Sequence, residues 1–246
     1  MKMFRKYGFL LLHPIQRMSV IPFLAFIGIS LLCRAQEVSQ QRMAAIYEEV
    51  KTPYKYGLVV APTDNKHKID CPTVFREGNK WYMTYVVYNG KTGTDGRGYE
   101  TWIAESDDLL TWKTLGKILS YRDGKWDCNQ RGGFPALPDM EWGGSYGLQS
   151  YKGKHWMTYI GGEGTGYEAV RAPLFIGLAW TDKSLNVASE WEALDRPILS
   201  IHDKDAQWWE ELTQYKSTVY WDRKKALGEP FVMFYNAGGR HPQTGL

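Results

Sequence analysis

Apolar and polar residues alternate in a pattern that recurs along the chain about every 75 residues. The segment WYMTY at residues 81–85 returns as HWMTY at residues 155–159 and as FVMFY at residues 231–235. The central methionine therefore moves by 74 and then by 76 positions. Each copy follows a polar turn and precedes a stretch that contains Gly or Asn. This alternation predicts one strand that recurs in each unit of an internal repeat.

A second element repeats in phase with the first. Residues 103–107 (IAESD), followed by Trp112, correspond to residues 178–182 (LAWTD), followed by Trp191. In each unit this element leads to a short apolar strand, which the pattern predicts at residues 115–119 and 197–200. We expect Trp112 and Trp191 to pack between neighbouring units. We expect the repeated methionines, Met83, Met157 and Met233, to lie in the core.

Four antiparallel strands in each unit predict an all-β fold of the propeller type, in which neighbouring blades stack to bury both faces. The predicted blades span residues 54–120, 121–200 and 201–246. The third unit contains only the first half of the pattern, so the sequence holds about two and a half blades. Because propellers usually have four or more blades, we expect a fragment of a longer protein, or closure by another polypeptide.

The N-terminal residues 1–35 have the pattern of a secretory signal peptide. A basic stretch through Arg17 precedes an apolar run at residues 20–32, and the small residue Ala35 suits a cleavage site. The run is short for a membrane span, although a retained anchor, or a lipid anchor at Cys33, stays open. We therefore expect a secreted or periplasmic protein without stable membrane insertion after cleavage. Residues 36–53 form a separate segment, with a helix predicted around residues 39–50.

The distribution of charge argues against nucleic acid as a partner. The formal net charge is +3, but five basic and no acidic side chains lie in residues 1–35. The remainder is thus close to neutral, without a basic stripe for a phosphate backbone. Outside the leader, only Cys71 and Cys128 are cysteines, and two isolated cysteines do not make a zinc signature. They are able to pair in an oxidising compartment, but the sequence does not decide this.

Three segments together resemble a known family. Residues 69–75 (IDCPTVF), then residues 81–85, then residues 104–108 (AESDD) with Trp112, are similar to the blades of five-bladed propeller glycosidases. These include glycoside hydrolase families 43 and 130. The resemblance extends from Tyr54 to the C-terminus. It implies a five-bladed propeller that cleaves or phosphorolyses glycosidic bonds of a carbohydrate substrate without an organic cofactor, with a calcium ion on the axis as an option.

Glycoside hydrolysis needs one carboxylic acid and one carboxylate, which in a propeller lie where the innermost strands begin. Asp70 resembles the general base of family 43, although Cys71 stands between it and the following proline; a turn-forming role is the alternative. In blade two, Asp127 is the main candidate. Its spacing is echoed in blade three by Glu210 and Glu211, either of which resembles the general acid. No group of residues requires a metal ion.

Further residues are candidates for substrate binding. Aromatic side chains outside the repeated strands suit stacking on sugar rings. Lys216 is placed to contact a substrate oxygen or a phosphate, and arginine can donate paired hydrogen bonds to sugar hydroxyls. The predicted substrate-binding residues are Trp126, Trp142, Trp209, Glu141, Lys216 and Arg131.

The sequence thus predicts an exported glycoside hydrolase. Two alternatives stay open: a glycoside phosphorylase on the same scaffold, and a non-catalytic propeller that binds glycans. Phosphate-dependent turnover separates the first alternative from the hydrolase. Glycan binding that survives the removal of Asp70, with no turnover in either protein, would support the second.

Overall fold

The computed structural model describes residues 38–51, 57–62, 67–90, 96–167 and 173–239. The predicted signal peptide at residues 1–35 lies outside the described residues. The chain divides into two compact units between Tyr54 and Lys55. Within the described ranges, no helix is both long and apolar enough to span a lipid bilayer.

The N-terminal unit contains one described helix, α1 (Gln40–Val50), where the sequence predicts one. The helix begins after Ser39, whose hydroxyl accepts a hydrogen bond from the backbone N–H of Arg42 at 3.2 Å. This contact satisfies one of the backbone donors that the first turn of a helix leaves open. The helix ends at Lys51, whose backbone is extended.

The C-terminal unit is built from antiparallel sheets, which confirms the all-β prediction. The first sheet has the order β1 (Lys68–Glu77), β2 (Lys80–Tyr88), β3 (Tyr99–Ser106) and β4 (Lys113–Leu119). The second has the order β5 (Gln130–Pro135), β6 (His155–Gly162), β7 (Phe175–Thr181) and β8 (Glu192–Ala193). The third contains β9 (Thr213–Trp221) and β10 (Phe231–Gly238). A 3-10 helix, Trp208–Glu210, precedes β9.

The internal repeat corresponds to these strands. The three copies of the first motif lie in β2, β6 and β10, and the two copies of the second lie in β3 and β7. The prediction of a strand at residues 197–200 is wrong, because the fourth strand of the second sheet is Glu192–Ala193. Leu199 forms only an isolated bridge to Ile176. Pro197 has no backbone N–H, so a continuous ladder through this segment is not available.

The main core lies between the first and second sheets. Phe75 and Tyr82 of the first sheet pack there with Met157 and Tyr159 of the second, and Trp191 closes the cluster with 4% of its surface exposed. The prediction that Trp191 packs between units is confirmed. Burial of these large side chains from both sheets is the main favourable term that holds the two sheets together.

The other repeated residues divide between different environments. Trp112 packs on the opposite face of the first sheet, beside the cluster of Met83, Tyr85 and Ala104. Met83 is buried, as predicted. Met233 is only partly buried and lines an apolar cavity of about 330 Å³ together with residues of the second sheet. The third sheet therefore packs less completely than the first two.

Candidate active site

Two irregular strand positions lie close together where β1 and β9 begin. The register of β1 shifts between Asp70 and Thr73, and the register of β9 against β10 passes from Ser217 to Tyr215, so that Lys216 is the extra residue of a bulge. Cys71 and Lys216 both have positive φ, 52° and 44°. Positive φ is unfavourable for residues with a Cβ, and β-bulges often re-aim side chains beside functional sites. The two bulges thus mark one end of these strands as the candidate site.

Asp70 is half-buried and both of its carboxylate oxygens are engaged. Its Oδ1 accepts the backbone N–H of Cys71 at 2.7 Å, and its Oδ2 accepts the hydroxyl of Tyr167 at 3.0 Å. Partial burial acts to raise the pKa of Asp70, but these hydrogen bonds and the charge of Lys216 outweigh it and lower the pKa below 3.8. Asp70 is therefore ionised at neutral pH, as a general base or a nucleophile must be.

Tyr167 is a site residue that sequence reasoning missed. It follows β6 in a glycine-rich loop, residues 163–167, and its ring packs edge-on against Tyr88 and Tyr99, with centroids 5.5 and 5.6 Å away. The run GGEGTGY was the available signal, because glycine lets a backbone pass close to other groups. Glu163 opens the same loop, and its side chain is exposed.

Asp127 lies in a different environment, fully buried between charged partners. Its carboxylate accepts the Arg122 guanidinium at 2.9 Å and the Tyr159 hydroxyl at 2.8 Å, and it lies 3.1 Å from Nε of Arg131. Desolvation by burial, with the carboxylate of Asp127 next to it, raises the pKa of Tyr159, so that this hydroxyl keeps its proton. Asp127 thus anchors the loop that connects the first two sheets, with no exposed oxygen for a sugar.

Arg131 belongs to the same buried network. It has no exposed surface, and its Nη1 donates to the backbone carbonyl of Ser120 at 2.5 Å and to Glu190 at 2.6 Å. Its guanidinium also lies 5.3 Å from the centre of the Tyr159 ring. These contacts hold the first and second sheets together, and they turn Arg131 away from the protein surface where a glycan binds.

Glu210 repeats the arrangement of Asp127 in the third sheet. It is 3% exposed and accepts the hydroxyl of Tyr235 at 2.7 Å, as Asp127 accepts that of Tyr159. Tyr159 and Tyr235 occupy the same position of the repeated motif. Glu210 also accepts the backbone N–H of Gln207 at 2.7 Å. The spacing that the sequence shows thus corresponds to a repeated carboxylate–tyrosine contact that fixes the loop before each inner strand.

The remaining candidates near the start of β9 are more accessible. Glu211 is exposed, and Trp209 has 36% of its surface exposed. Trp126 is different: its ring stacks on Tyr159 with centroids 5.8 Å apart, at an angle of 25°, and also contacts Phe175. Trp209 is therefore open to a ligand at this end, whereas Trp126 has a packing role.

Glu141 and Trp142 are not brought to the same end as Asp70. They belong to the loop after β5, which meets the far end of β1, where the backbone N–H of Arg76 donates to the carbonyl of Tyr146. At about 3.3 Å per residue, Arg76 lies roughly 20 Å along the strand from Asp70. An open groove of about 830 Å³ lies at this far end, lined in part by Glu141, Trp221 and Arg223. Glu141 and Trp142 thus cannot act on the same glycosidic bond as Asp70.

Neither a metal site nor a disulfide is present in the described part of the chain. It contains no group of three or more His, Cys, Asp or Glu side chains that could hold a metal ion. Cys71 and Cys128 do not form a disulfide. The axial calcium ion considered from the sequence stays a prediction.

Comparison with solved structures identifies the class of protein to which this chain is related. A glycoside hydrolase of known structure is 83% identical to the chain, with a TM-score of 0.81, over 85% of this chain. A BT0996 complex with RGII matches with the same identity, TM-score and coverage. The predicted resemblance to glycoside hydrolases is confirmed. The chain spans 59% of the length of each of these two proteins. No protein-family model and no curated protein sequence matches the chain.

Proposed function

We propose that this protein is an exported glycoside hydrolase whose sheets are successive blades of a propeller. The observation that carries the proposal is the 83% identity to a solved glycoside hydrolase over 85% of the chain. The proposed site is the end of the blades at which Asp70, Tyr167 and Lys216 meet. Hydrolysis at two carboxyl groups needs no organic cofactor, so we propose none.

In this proposal Asp70 is the ionised carboxylate of the pair. Its pKa is lowered, so it activates water or attacks the sugar, and a second carboxyl group protonates the leaving oxygen. Asp127 and Glu210 are buried and fully engaged, so we do not assign them to this role. Two exposed carboxyl groups flank the same end, Glu211 before β9 and Glu163 in the loop that carries Tyr167. We propose that one of these two is the acid.

The substrate that we propose is an oligosaccharide of RGII. This proposal comes from the relative that was solved as a complex with RGII. Trp209 supplies an exposed aromatic face and Lys216 a positive charge beside Asp70. Aromatic faces and charged hydrogen-bond donors are the groups that bind sugar rings and their hydroxyls.

The test is release of sugar from an RGII oligosaccharide, measured with and without inorganic phosphate. We expect phosphate-independent turnover that falls by at least about a hundredfold in Asp70→Asn, because general base catalysis contributes about that much or more. Asp107→Asn is the matched control, because Asp107 is an exposed partner of Lys80 at the other end of the first sheet. Turnover that survives in Asp70→Asn would refute the assignment, and turnover that requires phosphate would indicate a phosphorylase.

A further inference from the structure

We propose that Gln130 is a positioning residue: it fixes the loop 163–167 and, through Tyr167, sets the orientation of the Asp70 carboxylate. The inference rests on the proposed function, in which Asp70 acts on the substrate. It assigns a role to a residue that carries no catalytic chemistry of its own and that lies in the second sheet, whereas Asp70 lies in the first.

Gln130 is fully buried at the first position of β5, and its amide is fully engaged. Its Nε2 donates to the carbonyls of Gly164 at 2.9 Å and Gly166 at 2.8 Å, and its Oε1 accepts the backbone N–H of Tyr99 at 3.2 Å. Both amide hydrogens are thus used. A Cβ at Gly98 would lie 2.4 Å from Nε2, so the amide has no room to rotate. One side chain therefore ties the loop to the first sheet.

Other contacts hold the same loop at each end. The side-chain amide of Asn129 donates to the carbonyl of Glu163 at 2.7 Å. The backbone N–H of Gly166 donates to the carbonyl of Gly96 at 3.1 Å, and Gly166 has a φ of 89°. Because Asn129 and Gln130 are adjacent, the start of β5 determines the path of the loop up to the residue before Tyr167.

Tyr167 transmits this position to Asp70. Its ring is packed against Tyr88 and Tyr99, and its hydroxyl is 3.0 Å from Oδ2 of Asp70. Tyr99 is thus a neighbour of the Tyr167 ring and also donates its N–H to Gln130. A shift of the loop would move the hydroxyl away from the carboxylate, because the ring is held from the side and not by Asp70 alone.

The expected effect on Asp70 follows from the groups that face it. These are the backbone and thiol of Cys71 on its own strand, Tyr167 on the loop and Lys216 on β9; Lys68, two residues earlier, lies over the Tyr167 ring at 5.8 Å. Loss of the Tyr167 hydroxyl leaves the desolvation in place and removes a hydrogen bond that favours the charged form. The pKa of Asp70 then rises.

The experiment compares Tyr167→Phe, Gln130→Glu and the double variant in the full-length protein. Tyr167→Phe keeps the ring and removes the hydroxyl. Gln130→Glu keeps an acceptor for the N–H of Tyr99 and removes the two amide donors. The control is Tyr85→Phe, because the Tyr85 hydroxyl pairs with that of Thr114 at 2.9 Å within the first sheet. The readouts are kcat/KM on the RGII oligosaccharide as a function of pH, and the pKa of Asp70 from carboxyl ¹³C NMR.

We expect kcat/KM to fall about tenfold or more in both single variants, since a hydrogen bond to a charged group is lost or misplaced. The acidic limb of the pH profile and the NMR-derived pKa of Asp70 should both move to higher pH. The double variant should be no worse than Tyr167→Phe, because both changes act through one hydrogen bond. Tyr85→Phe should leave the pH profile unchanged.

Two outcomes separate this inference from the proposed function. If Asp70→Asn abolishes turnover while Tyr167→Phe leaves both the pKa of Asp70 and kcat/KM unchanged, the positioning role is wrong and the hydrolase proposal stands. If Asp70→Asn retains turnover, the proposed function fails. If Gln130→Glu does not fold, Tyr167→Phe still decides whether the hydroxyl controls Asp70. Additive losses in a folded double variant would overturn the route through Tyr167.

Discussion

Replacing Asp127 by Asn should reduce stability far more than it affects chemistry. Asp127 has no exposed surface and neutralises Arg131, which has none either. Removing one partner of a buried ion pair costs about 3–5 kcal/mol, because the other charge is left without compensation. Arg131 keeps its contacts to Glu190 and Ser120, and Arg122 is 21% exposed and reaches water. We therefore expect a loss near the lower end of that range.

A loss of about 3 kcal/mol corresponds to a fall in Tm of about 6–12 °C for a unit of this size. Differential scanning calorimetry at pH 7 measures it. Asp195→Asn is the control, because Asp195 is 72% exposed and contacts the same Arg122 at 3.4 Å. Exposed ion pairs contribute about 0–1 kcal/mol, so this control should stay within about 4 °C of the original protein.

The same substitution also separates a structural role of Asp127 from a catalytic one. At a temperature at which Asp127→Asn is still folded, its turnover should stay within about tenfold of the original protein, because no oxygen of Asp127 reaches a sugar. Asp70→Asn should instead lose turnover with a small change in Tm. An Asp127→Asn protein with an unchanged Tm and abolished turnover would refute the structural role. The carboxylate predicted from the sequence for blade two would then be catalytic after all.

Two further predictions concern pH and the aromatic residues. The folded protein raises the pKa of Tyr159 above its ordinary value of 10 by burial beside Asp127. Above pH 10 the unfolded state loses this proton first, so stability should fall with rising pH; urea unfolding at pH 9–11 should show a shallower fall in Tyr159→Phe. Trp209→Ala should raise KM for the RGII oligosaccharide several-fold, because stacking on a sugar ring is lost, whereas Trp142→Ala at the far end should leave KM unchanged.

The repeat made most of the fold predictable. Strands β2, β6 and β10 carry the same alternation, so their positions followed from sequence periodicity alone. The fourth strand of the second sheet did not, because residues 197–200 are apolar enough to resemble a strand although Pro197 interrupts the ladder. Local pattern reports burial, but it does not report which backbone groups find partners.

The site was predictable only in part, for reasons of three-dimensional geometry. Asp70 was found because it precedes a recognisable inner strand. Asp127 and Glu210 share a real spacing, but sequence does not show that a tyrosine from the next strand buries each carboxylate. Tyr167 was missed because it is 97 positions from Asp70, and only folding places the two side chains together.

The location of the bound glycan tests the central claim most directly. A crystal structure of Asp70→Asn with an RGII oligosaccharide should show the sugar at residue 70, within hydrogen-bonding distance of Tyr167 or Lys216 and against the exposed face of Trp209. An oligosaccharide bound instead in the groove beside Glu141 and Arg223, with the Asp70 end empty, would contradict the account.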